Sequence, residues 1–363
     1  MAGNRIKSLD GIRAISILMV LLGHMFETLP EAFQNEYVHV ILFNSSLGVK
    51  IFFVISGYLI TRLLIIEKNK SGKIDIKDFY LRRIFRIFPV FYLYIIIVLL
   101  LKATIFPDIL NNYTLVGFAG LYLWNYKHLF VSDMPTEKGN WFFGHFWSLS
   151  MEEQFYMIWP MMFVKINAEK LKKVVLWIIC IMPVLRIATY FLMPDSRGQI
   201  SMMLHTGGDS ILTGCLVALL EVNLKFQEKV NYYLNKKFLP LAIALFIFIV
   251  SPLLSMYLKG AYTITVGMSL NNICIIYLIL WAIRIPSKVA DFLNTKVLIH
   301  IGILSYSLYI WQQLFLTNQA SFSVNKFPLN IIAVVIVAHI SYYLIEKPML
   351  NLKKKFKHIK TGQ

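Results

Sequence analysis

Arg13 and His24 stand eleven residues apart in one apolar stretch. On a helix that separation is a rise of about 16 Å, and about 100° per residue brings both side chains to nearly the same stripe. Ionisable groups are costly inside an apolar helix and usually face a cavity or a partner. Histidine is the side chain whose ordinary pKa suits proton transfer near neutral pH. The stripe therefore predicts a cation near one mouth and a base deeper in, roughly mid-membrane. The plainer reading is an arginine that snorkels and a histidine that packs.

Three further groups could do chemistry. Glu152 and Glu153 are adjacent in His145-Phe146-Trp147-Ser148-Leu149-Ser150-Met151-Glu152-Glu153-Gln154-Phe155-Tyr156. Adjacent carboxylates point to different sides of a helix, so each serves its own partner: one a histidine or arginine, one a backbone cap, or either a structural ion pair. Arg82, Arg83 and Arg86 precede Pro89. Spacings of three and four put Arg86 on a face with each of the others. Guanidinium groups grip phosphate in a fixed two-pronged geometry, so an anionic ligand would suit them; positive anchoring at a membrane surface is the alternative. Ser56-Gly57, in an apolar run, permits close approach of a helix or a bound ligand. Asp209 is a buried carboxylate candidate with either a functional or a packing role.

These groups need elements to hold them. Of 363 residues, 58% are hydrophobic and 15% charged, against roughly 45–50% and 25% in soluble domains. The apolar excess comes in blocks of about 20 residues, the length that spans hydrocarbon as helix. Candidate spans are 10–29, 42–65, 85–104, 144–163, 172–192, 203–222, 238–256, 262–283, 298–317 and 328–346. The predicted fold is all-α: one polytopic transmembrane helical bundle of about ten helices over 1–363. The net charge of +17 lies mostly between the spans, not in a nucleic-acid-binding patch. The loop from Lys68 to Arg86, the loops around Lys165–Lys173, Lys225–Lys237 and Arg284–Lys296, and a short tail over 349–363 with Lys353–Lys355 are basic. The intervening loops are poor in Lys and Arg, which predicts an N-in, C-in topology in contact with membrane lipids.

The stretch 105–143 holds Pro107, Asp108, Asn111, Asn112, Asp133, Pro135 and Glu137 around the apolar run Leu115–Trp124. A crossing there would break the charge alternation, so it is expected to be external or re-entrant. Tyr122, Trp124 and Trp141 are candidates either for stacking on a sugar or for an interfacial belt. Cys180, Cys215 and Cys274 have neither CxxC nor metal spacing and are expected to be buried free thiols, with no metal. Arg13 and His24, with no small-x-small cleavage site before Pro30, mark the first apolar stretch as a retained helix. Spacing and composition leave acid–base catalysis, proton-coupled transport and a non-catalytic scaffold open.

Six motifs in order resemble the membrane acyltransferase 3 family: Ser8-Leu9-Asp10-Gly11-Ile12-Arg13-Ala14 with His24; Phe52-Phe53-Val54-Ile55-Ser56-Gly57-Tyr58; Phe79-Tyr80-Leu81-Arg82-Arg83-Ile84-Phe85-Arg86-Ile87-Phe88-Pro89; Trp147–Tyr156; Ser305-Tyr306-Ser307-Leu308-Tyr309-Ile310-Trp311; and Glu346-Lys347-Pro348. The resemblance covers essentially the whole chain. It implies transfer of an acyl group, usually acetyl from acetyl-CoA, to a sugar hydroxyl. Acceptors would be a glycan or glycolipid, with lipopolysaccharide O-antigen or exopolysaccharide first, and the location the bacterial cytoplasmic (inner) membrane. It supports His24 as catalytic. Glu153 or Glu152 would orient the imidazole. Arg13, Arg82, Arg83, Arg86, Ser56 and Gly57 would serve the acyl-CoA donor. Asp10, Ser148, Ser150, Asp209, Tyr306 and Glu346 would have acceptor or structural roles. Two positions depart from the pattern: Gly207 stands where many relatives have the arginine of Arg-x-Asp, and Gln312 where many have histidine. Some relatives carry an additional esterase-like domain. The chain ends soon after its last span, so it is expected to acylate the acceptor itself or with a separate partner.

Overall fold

The computed structural model describes residues 6–110, 112–131 and 137–352, without the side chains of 137–139. Asn111, Asp133, Pro135 and the basic tail from Lys353 onward lie outside the described residues, as does the side chain of Glu137. The described residues are all-α, with no strand among them. The principal helices are α1 (Lys7–Met25), α2 (Ser45–Ser71), α3 (Ile76–Thr104), α4 (Phe146–Lys165), α5 (Ala168–Leu192), α6 (Asp209–Leu220), α7 (Leu224–Leu234), α8 (Leu239–Leu258), α9 (Gly260–Arg284), α10 (Lys296–Phe315) and α11 (Leu329–Leu352).

Among the described residues, eight helices are long and apolar enough to cross a membrane: α1, continued to Thr28; α2, counted from Glu36; and α3, α5, α8, α9, α10 and α11. Two expected spans behave differently. Helix α4 has the length, at 20 residues, but Ser148, Ser150, Glu152, Glu153 and Gln154 lower its apolarity. The expected continuous span 203–222 is instead a one-turn helix at Leu204–Gly207 followed by α6, which has 12 residues. At 1.5 Å per residue α6 is about 18 Å long, short of a hydrocarbon core.

The described residues divide into two compact units. The first contains residues up to Phe26, Ala32–Ile74 and Met151–Ile303. Its centre is the crossing of α2 with α6. A Cβ on Gly57 would lie 1.9 Å from the Ile211 carbonyl oxygen, and one on Gly214 would lie 2.1 Å from the Val54 carbonyl oxygen. Two hydrogen-only side chains facing opposite backbones set this contact distance, as small residues do where helices associate without a water-driven hydrophobic force. Around it, Val54, Ile55, Tyr58, Ala218, Ile275 and Ile279 form a buried cluster. Helix α6 is apolar nearly all round, and Ile211, Leu212, Cys215, Ala218 and Leu219 are buried, as expected of a helix wrapped by protein.

The second unit contains Glu27–Glu31, Asp75–Ser150 and residues from Leu304 onward. Helix α3 continues through Pro89, so Arg82, Arg83 and Arg86 lie within a helix rather than in a loop before one. Between α3 and α4 the apolar run Leu115–Trp124 forms only the seven-residue helix Thr114–Gly120 and part of a 3-10 turn. That is about 10 Å of helix, too short to span. Tyr122 stacks on Phe91 at 4.3 Å, and Phe91 on Phe146 at 4.4 Å. Tyr122 and Trp124 are buried. These two rings are core packing, neither an open sugar platform nor an interfacial belt.

Candidate functional site

Arg13 and His24 both lie on α1 and both are half-buried. The helix ends at Met25, so His24 sits in its last turn. The apolar pattern alone runs on to residue 29, but Phe26–Thr28 is 3-10. Gly23, beside His24, packs against the Phe43 carbonyl, where a Cβ would lie 2.5 Å from the oxygen. The histidine is thus carried on a helix end fixed against the start of α2. Glu152 and Glu153, half-buried on α4, belong to the same unit as Arg13 and His24.

Ser56 hydrogen-bonds Tyr156 through their hydroxyls. The open side of Gly57 is filled by α6, and its carbonyl accepts from the Cys215 thiol at 3.4 Å. Of the two uses left open for Ser56-Gly57, helix approach is the one this packing serves. Asp10, in the first turn of α1, is buried, and its carbonyl oxygen lies 1.9 Å from where a Gly302 Cβ would stand. Its carboxylate is well placed against the positive end of the helix.

Asp209, a buried carboxylate candidate in the sequence, has a partner that the sequence reading does not name. Arg186 of α5 forms an ion pair with Asp209, and both side chains are 0% exposed. Arg186 Nε donates to the Thr206 carbonyl at 2.7 Å and Nη1 to Ser269 Oγ at 3.0 Å, while Ser269 Oγ donates to Asp209 Oδ2 at 3.2 Å. Lys50 of α2 lies within electrostatic reach of both charges. This network explains the departure at Gly207. A Cβ there would meet the Ser201 carbonyl oxygen at 2.4 Å, leaving no room for an arginine two residues before Asp209. The guanidinium arrives from α5 instead. Arg186 and Lys50 were both visible as ionisable residues within apolar stretches, the criterion that marked Arg13.

In the second unit, Arg82 pairs with Asp78 one turn earlier, and the guanidinium groups of Arg82 and Arg83 lie 6.0 and 5.9 Å from the Phe79 ring. Arg86 is half-buried on the same helix. Tyr306 donates to the Ile87 carbonyl at 2.7 Å, and Ser307 to Glu346 Oε2 at 3.0 Å. The Ser148 and Tyr309 hydroxyls lie 2.5 Å apart and each 3.1 Å from the His145 carbonyl oxygen, so one donates to the other and that one donates to the carbonyl. Ser150 is buried. Tyr306, Glu346 and Ser148 therefore tie helices together through hydrogen bonds. Gln312 is fully buried.

Cys215 and Cys274 are buried free thiols, but Cys180 is exposed. It lies on α5, whose outer surface also shows Leu176, Trp177, Ile181, Val184 and Phe191. An apolar segment need not be an internal one, because in a membrane bundle the apolar exterior faces lipid.

The acyltransferase domain family Acyl_transf_3 matches residues 6–346. The chain belongs to that family. The O-acetyltransferase OatA of Staphylococcus aureus (strain NCTC 8325 / PS 47) is 26% identical over 365 residues, covering 96% of this chain and 57% of that protein. The "Putative O-acetyltransferase SACOL0978" of S. aureus (strain COL) is 28% identical over 369 residues, covering 94% and 57%. The chain thus spans little more than half the length of these relatives. No solved structure matches it. Family and apolar helices together describe a multi-pass protein of the bacterial cytoplasmic membrane.

Proposed function

We propose that this chain is an acyl-CoA-dependent O-acyltransferase, in the simplest case an O-acetyltransferase, acting on a hydroxyl of a cell-surface glycan such as lipopolysaccharide O-antigen or exopolysaccharide. The observation that carries the reading is the family match over 6–346 with His24 present in its motif. The printed names of the relatives, both O-acetyltransferases, favour acetyl.

A sugar hydroxyl is a weak nucleophile at neutral pH and needs a base beside it. His24 takes the hydroxyl proton as the oxygen attacks the thioester carbonyl. The carbon–sulfur bond then breaks, and the imidazolium returns the proton to the departing thiolate. Glu153 or Glu152 orients the ring. Arg82, Arg83 and Arg86 are the guanidinium groups proposed for the donor's phosphates, as is Arg13. Ser56 and Gly57, committed to Tyr156 and to α6, support the helices rather than the donor.

The proposed topology has about ten crossings with both ends inside. Charge alternation supports it, and so does the enclosure of α6 by protein, which lets a short helix and adjoining backbone sit at membrane depth. Cysteines introduced at positions 130 and 229 should label from opposite sides; labelling from one side overturns the topology.

Rapid mixing of purified protein with labelled acetyl-CoA, without acceptor, tests the direct transfer. Stoichiometric CoA release with label kept on the protein would replace it with an acyl-histidine intermediate. Acetyl content of surface polysaccharide, with and without the gene, tests the acceptor class.

A further inference from the structure

The first unit contains a cavity of about 860 Å³ formed by α2, α6, α7 and the end of α9. It lies within the range of small-molecule sites, roughly 300–1,000 Å³. Its polar wall carries Tyr58, Arg62, Glu221, Gln227, Asn231 and Arg284. Most of these groups are held by one another. Glu221 pairs with Arg284 and accepts from Tyr58 Oη at 2.8 Å. Gln227 donates to the Glu221 carbonyl at 2.6 Å, and Arg284 donates to Asn231 Oδ1 at 2.8 Å.

Arg62 differs. It is half-buried on the same wall, its charge reaches the Tyr58 hydroxyl, and it enters no ion pair among the described residues. The neighbouring carboxylate is already shared between Arg284 and Tyr58, so the wall is net cationic. The end of α2 carries Lys68 and Lys70 against Glu67, and α7 carries Lys225 and Lys229 against Glu228, a positive balance on each that favours anions nearby. The lining also includes the apolar side chains of Ile65, Ile66, Ile283 and Ile285.

We propose that this cavity binds the phosphate group of an amphiphilic anion, with Arg62 as the principal contact. Arg284 and the side-chain amides would frame the phosphate, and the isoleucines would receive the apolar part. A phosphate ester beside apolar surface is found in two sources, an anionic phospholipid and the nucleotide end of an acyl-CoA. The inference does not rest on acyl transfer, because binding needs no turnover, so either can fail without the other.

The test uses the full chain with two variants: Arg62→Gln, which removes the charge, and Val222→Trp, which obstructs the cavity while keeping it. Gel filtration and melting temperature would confirm that each variant folds. Coenzyme A binding is measured by calorimetry in a zwitterionic detergent. Retention of phosphatidylglycerol over phosphatidylcholine is measured by native mass spectrometry from nanodiscs containing both. The expected result is at least about a tenfold loss, equivalent to about 1.4 kcal/mol, for both variants toward one of the two probes, and that probe identifies the source. Unchanged binding of both probes by folded variants overturns the proposal. So does a loss in Arg62→Gln that Val222→Trp does not share.

Discussion

Arg186 and Asp209 form an ion pair with both side chains completely withdrawn from solvent, joining α5 to the start of α6. Removing one partner leaves the other as an uncompensated buried charge, a loss of about 3–5 kcal/mol in comparable settings. Arg186→Leu and Asp209→Asn are each expected to lower the melting temperature sharply in detergent. The double replacement Arg186→Leu/Asp209→Leu should recover part of the loss. Additive losses would show that the two residues act separately.

The α2–α6 crossing makes a second prediction. Gly57→Ala and Gly214→Ala each place a methyl group on the opposite backbone, and overpacking of this kind costs about 1–3 kcal/mol or more. Both variants should melt earlier than wild type. Gly117→Ala, where a Cβ meets nothing within 4 Å, serves as the control with no comparable loss.

The proposed catalytic role makes His24→Ala folded but inactive, with transfer reduced at least about a hundredfold. A folded His24→Ala protein that acetylates at the wild-type rate would remove the residue from the mechanism. Glu152→Gln and Glu153→Gln separate the two candidate orienting groups: the one that positions the imidazole should lower kcat more than KM.

Among the arginines of α3, Arg82 shares its charge with Asp78. Arg86→Ala should therefore weaken acyl-CoA binding more than Arg82→Ala, as measured by calorimetry. Equal, negligible effects for both would take these residues out of the donor site.

His128, outside the long apolar helices, should give a pH response. Burial, then the neighbouring Lys127 charge, holds its pKa below the ordinary 6.5. As pH falls through 6.5 an unfolded segment takes up the proton first, so stability present above that pH is lost progressively down to the lower folded pKa. Limited proteolysis around 124–129 should accelerate below pH 6.5 in wild type and respond less in His128→Asn. A rate equally sensitive to pH in both would discount the histidine.

The all-α class and most of the long helices were legible in the sequence, because apolar runs near 20 residues leave the backbone one economical way to satisfy itself in lipid. The motif residues were legible too, since charged groups in such runs are few. The tertiary structure alone decided what each short or polar segment became. It broke 203–222 at Gly208 and shortened the usable helix to α6. It ended α1 beside His24 and turned Tyr122 and Trp124 inward. It brought Arg186 to Asp209 from a helix more than twenty residues away, where Gly207 has no room for the cation. Hydropathy along a chain measures each residue's preference for lipid, but the partner of a buried charge and the space beside a glycine are set by which helices pack together.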